Sequence, residues 1–165
     1  MLRWIQEDLI RARSRFVNFY ILVDDSGATI IDGGFVSGVN LIEGALEAEG
    51  LGWSDVRGAI ATHGHLDHAF NLAAIQERSG APIYGHPKDR DHFLGRYPYR
   101  GLSRICGGLE AAGRKAFGYR PVEPTHELRD GQVLDLWGGL RVIHTQAHPD
   151  STNSPYSEPP DVLST

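Results

Sequence analysis

Thr62-His63-Gly64-His65-Leu66-Asp67-His68 is the stretch whose reading decides the fold. Three of the chain's eight histidines fall within six residues here, with an aspartate among them. Before it, residues 56–61 (Val-Arg-Gly-Ala-Ile-Ala) are short and largely apolar, as in a strand covered on both faces. After it, residues 69–78 carry apolar positions at helical spacing and stop at Ser79-Gly80. The cluster therefore lies on a strand-to-helix turn. In an extended segment residues i and i+2 point to one side, so His63 and His65 can aim at one ion, and Gly64 lets the backbone come close. Asp67 and His68 fall where the chain enters the helix, displaced toward a second ion or the first ion's water. A helix-capping loop would account for Asp67 but not for three imidazoles. Zinc prefers imidazole and carboxylate donors, which makes metal binding the leading reading.

Working outward, residues 16–23 form a β-rich run, Asp24-Asp25-Ser26-Gly27 supplies turn chemistry, and residues 28–32 form a second run ending at Gly33-Gly34. This predicts a hairpin whose second strand delivers Asp32 to a glycine loop. Residues 39–49 have helical spacing with Gly50 and Gly52 as stop signals, and Pro82 to Tyr84 read as another short strand. Residues 88–120 are polar, glycine-rich and only patchily periodic. Near the end, two strands about Trp137-Gly138-Gly139 are expected. Residues 1–150 read as one domain. Residues 151–165, with three prolines and four serines, read as an irregular tail.

The 165 residues are 41% apolar and 22% charged, with a net charge of −5. That suits one domain of ordinary size. Cys106 is the only cysteine, which rules out an internal disulfide and a cysteine-rich zinc module. The longest apolar run, Phe19 to Val23, is far short of a membrane span, and the N-terminus lacks the apolar core of a signal peptide. A cytoplasmic location is expected. Basic residues are scattered, so nucleic acid is disfavoured as a partner and a small-molecule substrate is favoured.

Thr62 to His68 resembles the His-x-His-x-Asp-His signature of the metallo-β-lactamase superfamily. The likeness extends from Val17-Asn18-Phe19-Tyr20, through Ile30-Ile31-Asp32-Gly33-Gly34, to Arg141-Val142-Ile143-His144-Thr145-Gln146-Ala147-His148. The resemblance implies an α/β fold, the αβ/βα metallo-β-lactamase-type sandwich. It also implies that His63, His65 and His148 bind one zinc ion and that Asp67 with His68 binds a second. Zinc with three histidines and an open position lowers the pKa of its water to about 7, and Asp67 is then the residue that orients the nucleophile or accepts its proton. The reaction class is hydrolysis of a small ester, thioester, lactone or amide. In the family pattern a Gly-Asp pair and a final histidine follow later, and here Thr165 is the last residue. The expectation is the N-terminal portion of the sandwich with an incomplete second half.

Two further readings compete with an active zinc hydrolase. One is a truncated relative that binds one metal with little turnover. The other is a mononuclear iron oxygenase on the same fold, because two histidines and a carboxylate also suit Fe2+. A homo-oligomer in which a second copy completes the site stays open. Asp32 is either a turn-forming residue or a partner that holds a ligating histidine in one tautomer, and the resemblance implies the latter. His86 follows a strand expected beside the signature strand, where it is placed either to line the cavity or, the favoured reading, to be an ordinary loop histidine; His92, His126 and His144 lack partners at ligand spacing and read as structural or exposed. Cys106 has no signal of a lowered pKa, Trp4, Trp53 and Trp137 read as core or rim aromatics, and Tyr97 to Arg100 read as a lid over the site.

Overall fold

The computed structural model describes residues 1–96, 104–145 and 152–157. Hydrophobic alternation organises the centre of the chain. Strand β3 (Val17–Asp24) turns at Ser26 into β4 (Gly27–Ile31), forming the expected hairpin, paired antiparallel from Tyr20 opposite Ile31 to Asp24 opposite Gly27. Along both strands neighbouring residues face opposite sides, so Ile21 and Ile30 enter one core while Leu22 and Ile31 enter another.

Helix α1 (Gly38–Ala48) lays Ile42, Ala45 and Leu46 into the first core. Strand β5 (Val56–Ile60) then runs parallel to β4, followed by α2 (Leu66–Ala69), α3 (Leu72–Ser79) and a parallel β6 (Ile83–Gly85). The histidine stretch is thus a strand-to-helix connection, as its flanks predict. Two short strands at the N-terminus, β1 (Leu2–Gln6) and β2 (Leu9–Ser14), and a two-residue β7 (His126–Glu127) complete a seven-stranded sheet in the order β1-β2-β3-β4-β5-β6-β7.

The second sheet is antiparallel, in the order β10-β9-β8, with β8 at Val133–Leu134, β9 at Leu140–Thr145 and β10 at Thr152–Ser157. Its Leu134, Leu140 and Val142 pack with Leu128 and Leu136 against Leu22, Ile31 and Ile60 of the large sheet. Helices, large sheet and small sheet are three stacked layers with one apolar core in each gap, the arrangement expected of part of an αβ/βα sandwich.

Three elements depart from expectation. Residues 151–165 were expected to be irregular, yet Thr152–Ser157 is a strand, in register with β9 from Thr152 opposite Thr145 to Ser157 opposite Leu140. Among the described residues β10 is the outer strand of its sheet, a place where Pro155 is tolerated because one side of the strand makes no ladder. The N-terminal hairpin was not foreseen. Its second strand alternates buried Ile10 and Ala12 with outward Arg11 and Arg13. The polar stretch 88–120 contains α4 (Arg90–Phe93) and a long helix, α5 (Arg104–Phe117). Among the described residues no helix is long and apolar enough to cross a membrane.

Candidate metal centre

Three parallel strands deliver residues to one edge of the sheet, because β4, β5 and β6 run in one direction and their carboxyl ends lie side by side. Asp32 follows β4, Thr62 and His63 follow β5, and His86 follows β6.

Asp32 is the hub. It is 4% exposed and its backbone is left-handed, with φ of 65°. Its N–H donates to the Ile60 carbonyl at 2.8 Å. One carboxylate oxygen accepts the Thr62 N–H at 2.8 Å, and the Thr62 hydroxyl lies 3.0 and 2.8 Å from the two oxygens. The second oxygen is 2.8 Å from His68 Nδ1. A hydroxyl has one proton to give. If Thr62 gives it to the Asp32 carboxylate, its oxygen accepts from His63 Nδ1, 3.0 Å away. Asp32 thus places the ring proton on Nδ1 of His68 directly and of His63 through Thr62. In the neutral form of each ring Nε2 is then left with the lone pair, the form a metal ion needs. The contact between Asp32 and a histidine of the cluster is present, to His68.

Electrostatics separates the two rings. Burial, followed by repulsion from His68, lowers the pKa of His63 to about 4, so His63 is neutral at neutral pH. Burial also acts to lower that of His68, but the hydrogen bond and charge of Asp32, helped by Asp67, outweigh it and the net shift is upward.

The rings of His63, His65 and His68 form one group. His63 lies 4.7 Å from His65 and 4.1 Å from His68 between ring centres, at interplanar angles of 80° and 47°. Asp67 stands in the first turn of α2, half exposed, with Oδ2 3.7 Å from His68 Nε2. The N-cap of α2 is His65, not Asp67, so Asp67 stands inside the first turn and does not occupy the capping position. His148, the third ligand implied for the first ion, lies outside the described residues, as do Tyr97 to Arg100 of the expected lid. Among the described residues no set of three His, Cys, Asp or Glu side chains is placed to hold a metal ion as it stands. The donors themselves fit zinc, since two oriented imidazoles with Nε2 lone pairs sit beside a third imidazole and a carboxylate.

Around this group the structure adds residues that no motif marked. Buried Asn71 donates to the carbonyls of Gly33 at 2.8 Å and Phe35 at 2.7 Å, tying the loop after Asp32 to the start of α3. The Gly33 N–H donates to the His68 carbonyl at 2.7 Å. Phe35 packs edge-on against Phe70 and Phe117 at 5.2 and 5.0 Å, which anchors the end of α5 beside the loop. Arg114 of α5, 3% exposed, donates to the Gly64 carbonyl at 2.7 Å. His92, read from sequence as structural or exposed, is buried under the same loop, its ring 6.0 Å from that of His65. His86 and His144, far apart in sequence, stack at 4.7 Å and 18°. Burial and the neighbouring His144 lower the pKa of His86. His126 packs against Tyr84 at 4.9 Å. Trp4 is on the surface, its indole N–H donating to Glu49, while Trp53 and Trp137 border the two cores. The Cys106 side chain lies outside the described residues.

Comparison with known proteins matches this geometry to one family. The model of the metallo-beta-lactamase superfamily matches residues 12–165. An uncharacterised protein of Mycobacterium tuberculosis is 31% identical over 134 residues, covering 79% of this chain and 56% of its own length. One from Aquifex aeolicus is 27% identical over 109 residues, covering 66% and 46%. The chain spans about half the length of the curated relatives it matches. Among solved structures, a metallo-beta-lactamase from Cronobacter sakazakii superposes with a TM-score of 0.74 at 24% identity, covering 92% of this chain and 57% of that one. The class B3 di-zinc metallo-beta-lactamase from an Alaskan soil metagenome gives 0.75 at 19% identity, covering 92% and 55%. At such identities the likeness is one of fold. Taken with the match along nearly the whole sequence, it settles that the chain belongs to the metallo-beta-lactamase superfamily.

Proposed function

We propose that this chain carries the metal centre of a zinc-dependent hydrolase acting on a small ester, thioester, lactone or amide. The observation that carries the reading is the Asp32 hub, which contacts Nδ1 of His68 directly and Nδ1 of His63 through Thr62, an arrangement that favours Nε2 of each ring as the acceptor. A solvated, purely structural histidine loop has no need of a buried carboxylate that sets two tautomers.

His63 and His65, with His148, would hold one zinc ion, and Asp67 with His68 a second. Zinc bound there lowers the pKa of a water molecule to about 7, which supplies a nucleophile at neutral pH. The chain's own residues supply the rest. His63 stays neutral because its pKa is near 4, so no proton competes for its Nε2 at working pH. Asp32 keeps the ring planes of His63 and His68 from turning. Asp67, half exposed beside His68, points a carboxylate toward incoming solvent and can orient the attacking water or take its proton. A small substrate in place of nucleic acid accords with the scattered basic residues and net charge of −5.

The test is elemental analysis of the purified chain together with turnover of ester, thioester, lactone and amide panels, alongside His63→Ala. One or two zinc ions per chain and hydrolysis lost in His63→Ala support the reading. Iron in place of zinc moves it to an oxygenase. Zinc with no turnover leaves a metal-binding member of the family that does not hydrolyse these substrates.

A further inference from the structure

Gly64 sits between two histidines and has no Cβ because there is no room for one. A Cβ built there lies 2.5 Å from the Cβ of His92 and 3.3 Å from that of Asp89. Close approach is obtained at a loss, since glycine leaves the backbone dihedrals between His63 and His65 least restricted. Turning the peptide plane that follows Gly64 swings the Cα–Cβ direction of His65 relative to that of His63. A site that needs both imidazoles on one ion therefore needs something outside the loop to hold that plane.

Helix α5 supplies it. Glu110 and Arg114 are four residues apart on one helical face, and Gly113 on the same side packs close to Leu66. The Arg114 Nη2 donates to the Gly64 carbonyl at 2.7 Å, and the same guanidinium reaches Glu110 Oε1 from Nη2 at 2.7 Å and from Nε at 3.1 Å. The guanidinium also lies 4.1 Å over the ring of Tyr119. A buried ion pair of this kind adds little to stability compared with apolar packing, because desolvation offsets its attraction. Stability alone does not explain why a charged fork is buried beneath a glycine carbonyl in the metal loop.

We propose that the buried Arg114–Glu110 pair is a positioning device for the metal loop, holding the Gly64 carbonyl so that His63 and His65 present their imidazoles to one ion. The inference rests on the zinc reading above and deepens it. Arg114 is a positioning residue, since it acts through the Gly64 carbonyl. Its planar fork binds carboxylate and carbonyl together, which a lysine point charge does less well.

The experiment compares the full chain with Arg114→Met, Arg114→Lys and Glu110→Gln, using Arg120→Met as a control. Arg120 is exposed and pairs with Glu77 at the surface. Three quantities are measured on each: zinc affinity by chelator competition, the visible spectrum of the Co2+-loaded protein, and thermal unfolding of the metal-free chain. Partners that orient metal ligands are worth about 10–100-fold in affinity. Arg114→Met and Glu110→Gln are expected to lose zinc affinity by a factor in that range and to shift the Co2+ bands. Arg114→Lys is expected to fall between them and the wild type, and Arg120→Met to match the wild type. If Arg114→Met does not fold, Arg114→Lys and Glu110→Gln decide by the same criteria. Variants that only melt earlier, with zinc affinity and Co2+ spectrum within twofold of wild type, overturn the inference. A wild-type chain that takes up no zinc fails differently, alike in all variants, and overturns the metal-centre reading and this one with it.

Discussion

Asp32→Asn tests the hub with the least disturbance elsewhere. Asparagine has nearly the shape of aspartate and tolerates left-handed backbone, so the φ of 65° survives the change. Its carbonyl oxygen can still accept the Thr62 N–H at the 2.8 Å position. Its amide nitrogen now stands where Oδ2 accepted from His68 Nδ1 at 2.8 Å and from the Thr62 hydroxyl at 2.8 Å. Two donors then face each other at a site 4% exposed to water. His68 relieves the clash by moving its proton to Nε2, which recovers a neutral hydrogen bond and removes the lone pair a metal needs. A charge-assisted bond of about 1.5–3 kcal/mol is exchanged for one of about 1 kcal/mol, so the metal-free chain loses about 1–2 kcal/mol near pH 8.

The loss grows on acidification. In the wild type Asp32 holds the folded pKa of His68 above its unfolded value of 6.5. The protonated pair therefore stabilises the fold fully below pH 6.5, and its contribution fades as pH rises through the folded value. Without the carboxylate burial is the largest influence left, so the folded pKa drops below 6.5 and the variant loses stability as pH falls through 6.5. Urea unfolding of metal-free wild type and variant at pH 8 and pH 5.5, with long-range 1H–15N NMR of the ring nitrogens, reads both effects. A variant that keeps the Nδ1–H tautomer of His68, or a stability gap that does not widen at pH 5.5, refutes the hub.

Other expectations follow from the same contacts. His63 titrates near 6.5 unfolded and about 4 folded, so the metal-free chain loses up to about 3 kcal/mol as pH falls from 6.5 to 4, and His63→Gln removes that part of the acid sensitivity in urea melts. Asn71→Ala strips a donor from the Gly33 and Phe35 carbonyls and lowers unfolding free energy by about 1–3 kcal/mol in denaturant titrations. Gly38→Ala places a Cβ 2.4 Å from both Asn71 Nδ2 and the Gly33 carbonyl oxygen, so it costs about 1–3 kcal/mol by overpacking. The two changes strike one contact, and the double variant is expected to lose less than their sum.

The central elements were legible because their signals are local. The β3–β4 hairpin has its turn chemistry within four residues, α1 its periodic apolar stripe and terminal glycines, and the histidine group lies within six residues. What escaped depends on partners distant in sequence. Strand β2 has only two fully buried apolar residues, Ile10 and Ala12, set between arginines, and it becomes a strand through pairing with β3. Helix α5 buries Arg114 on the face a pattern search would give to leucine, so its periodicity reads as patchy. Strand β10 contains Pro155 and exists through its ladder with β9. In the site, the identity of Asp32 as a partner was legible but its grip on His68, across 36 positions, is a product of parallel pairing. A buried arginine four residues after a glutamate looks in sequence like any surface helix pair.

The strain at Asp32 joins the fold to the site. Parallel pairing brings Ile31 beside Ile60, and the Asp32 N–H makes the next ladder bond, to the Ile60 carbonyl. Had the ladder continued regularly, the Thr62 N–H would donate to the main-chain carbonyl of Asp32. With φ at 65° the backbone leaves the sheet at that residue, and the side-chain carboxylate accepts the Thr62 N–H instead. The strand is ended by a carboxylate in place of a peptide carbonyl, and this group has a second oxygen to offer. That oxygen holds His68. A non-glycine residue in left-handed backbone costs about 1 kcal/mol or more and persists only where its surroundings hold it there. Here those surroundings are the ladder on one side and two histidine-bearing turns on the other. The same residue that terminates β4 therefore sets the tautomers on which metal binding depends, and strand order and site chemistry cannot be altered independently at this position.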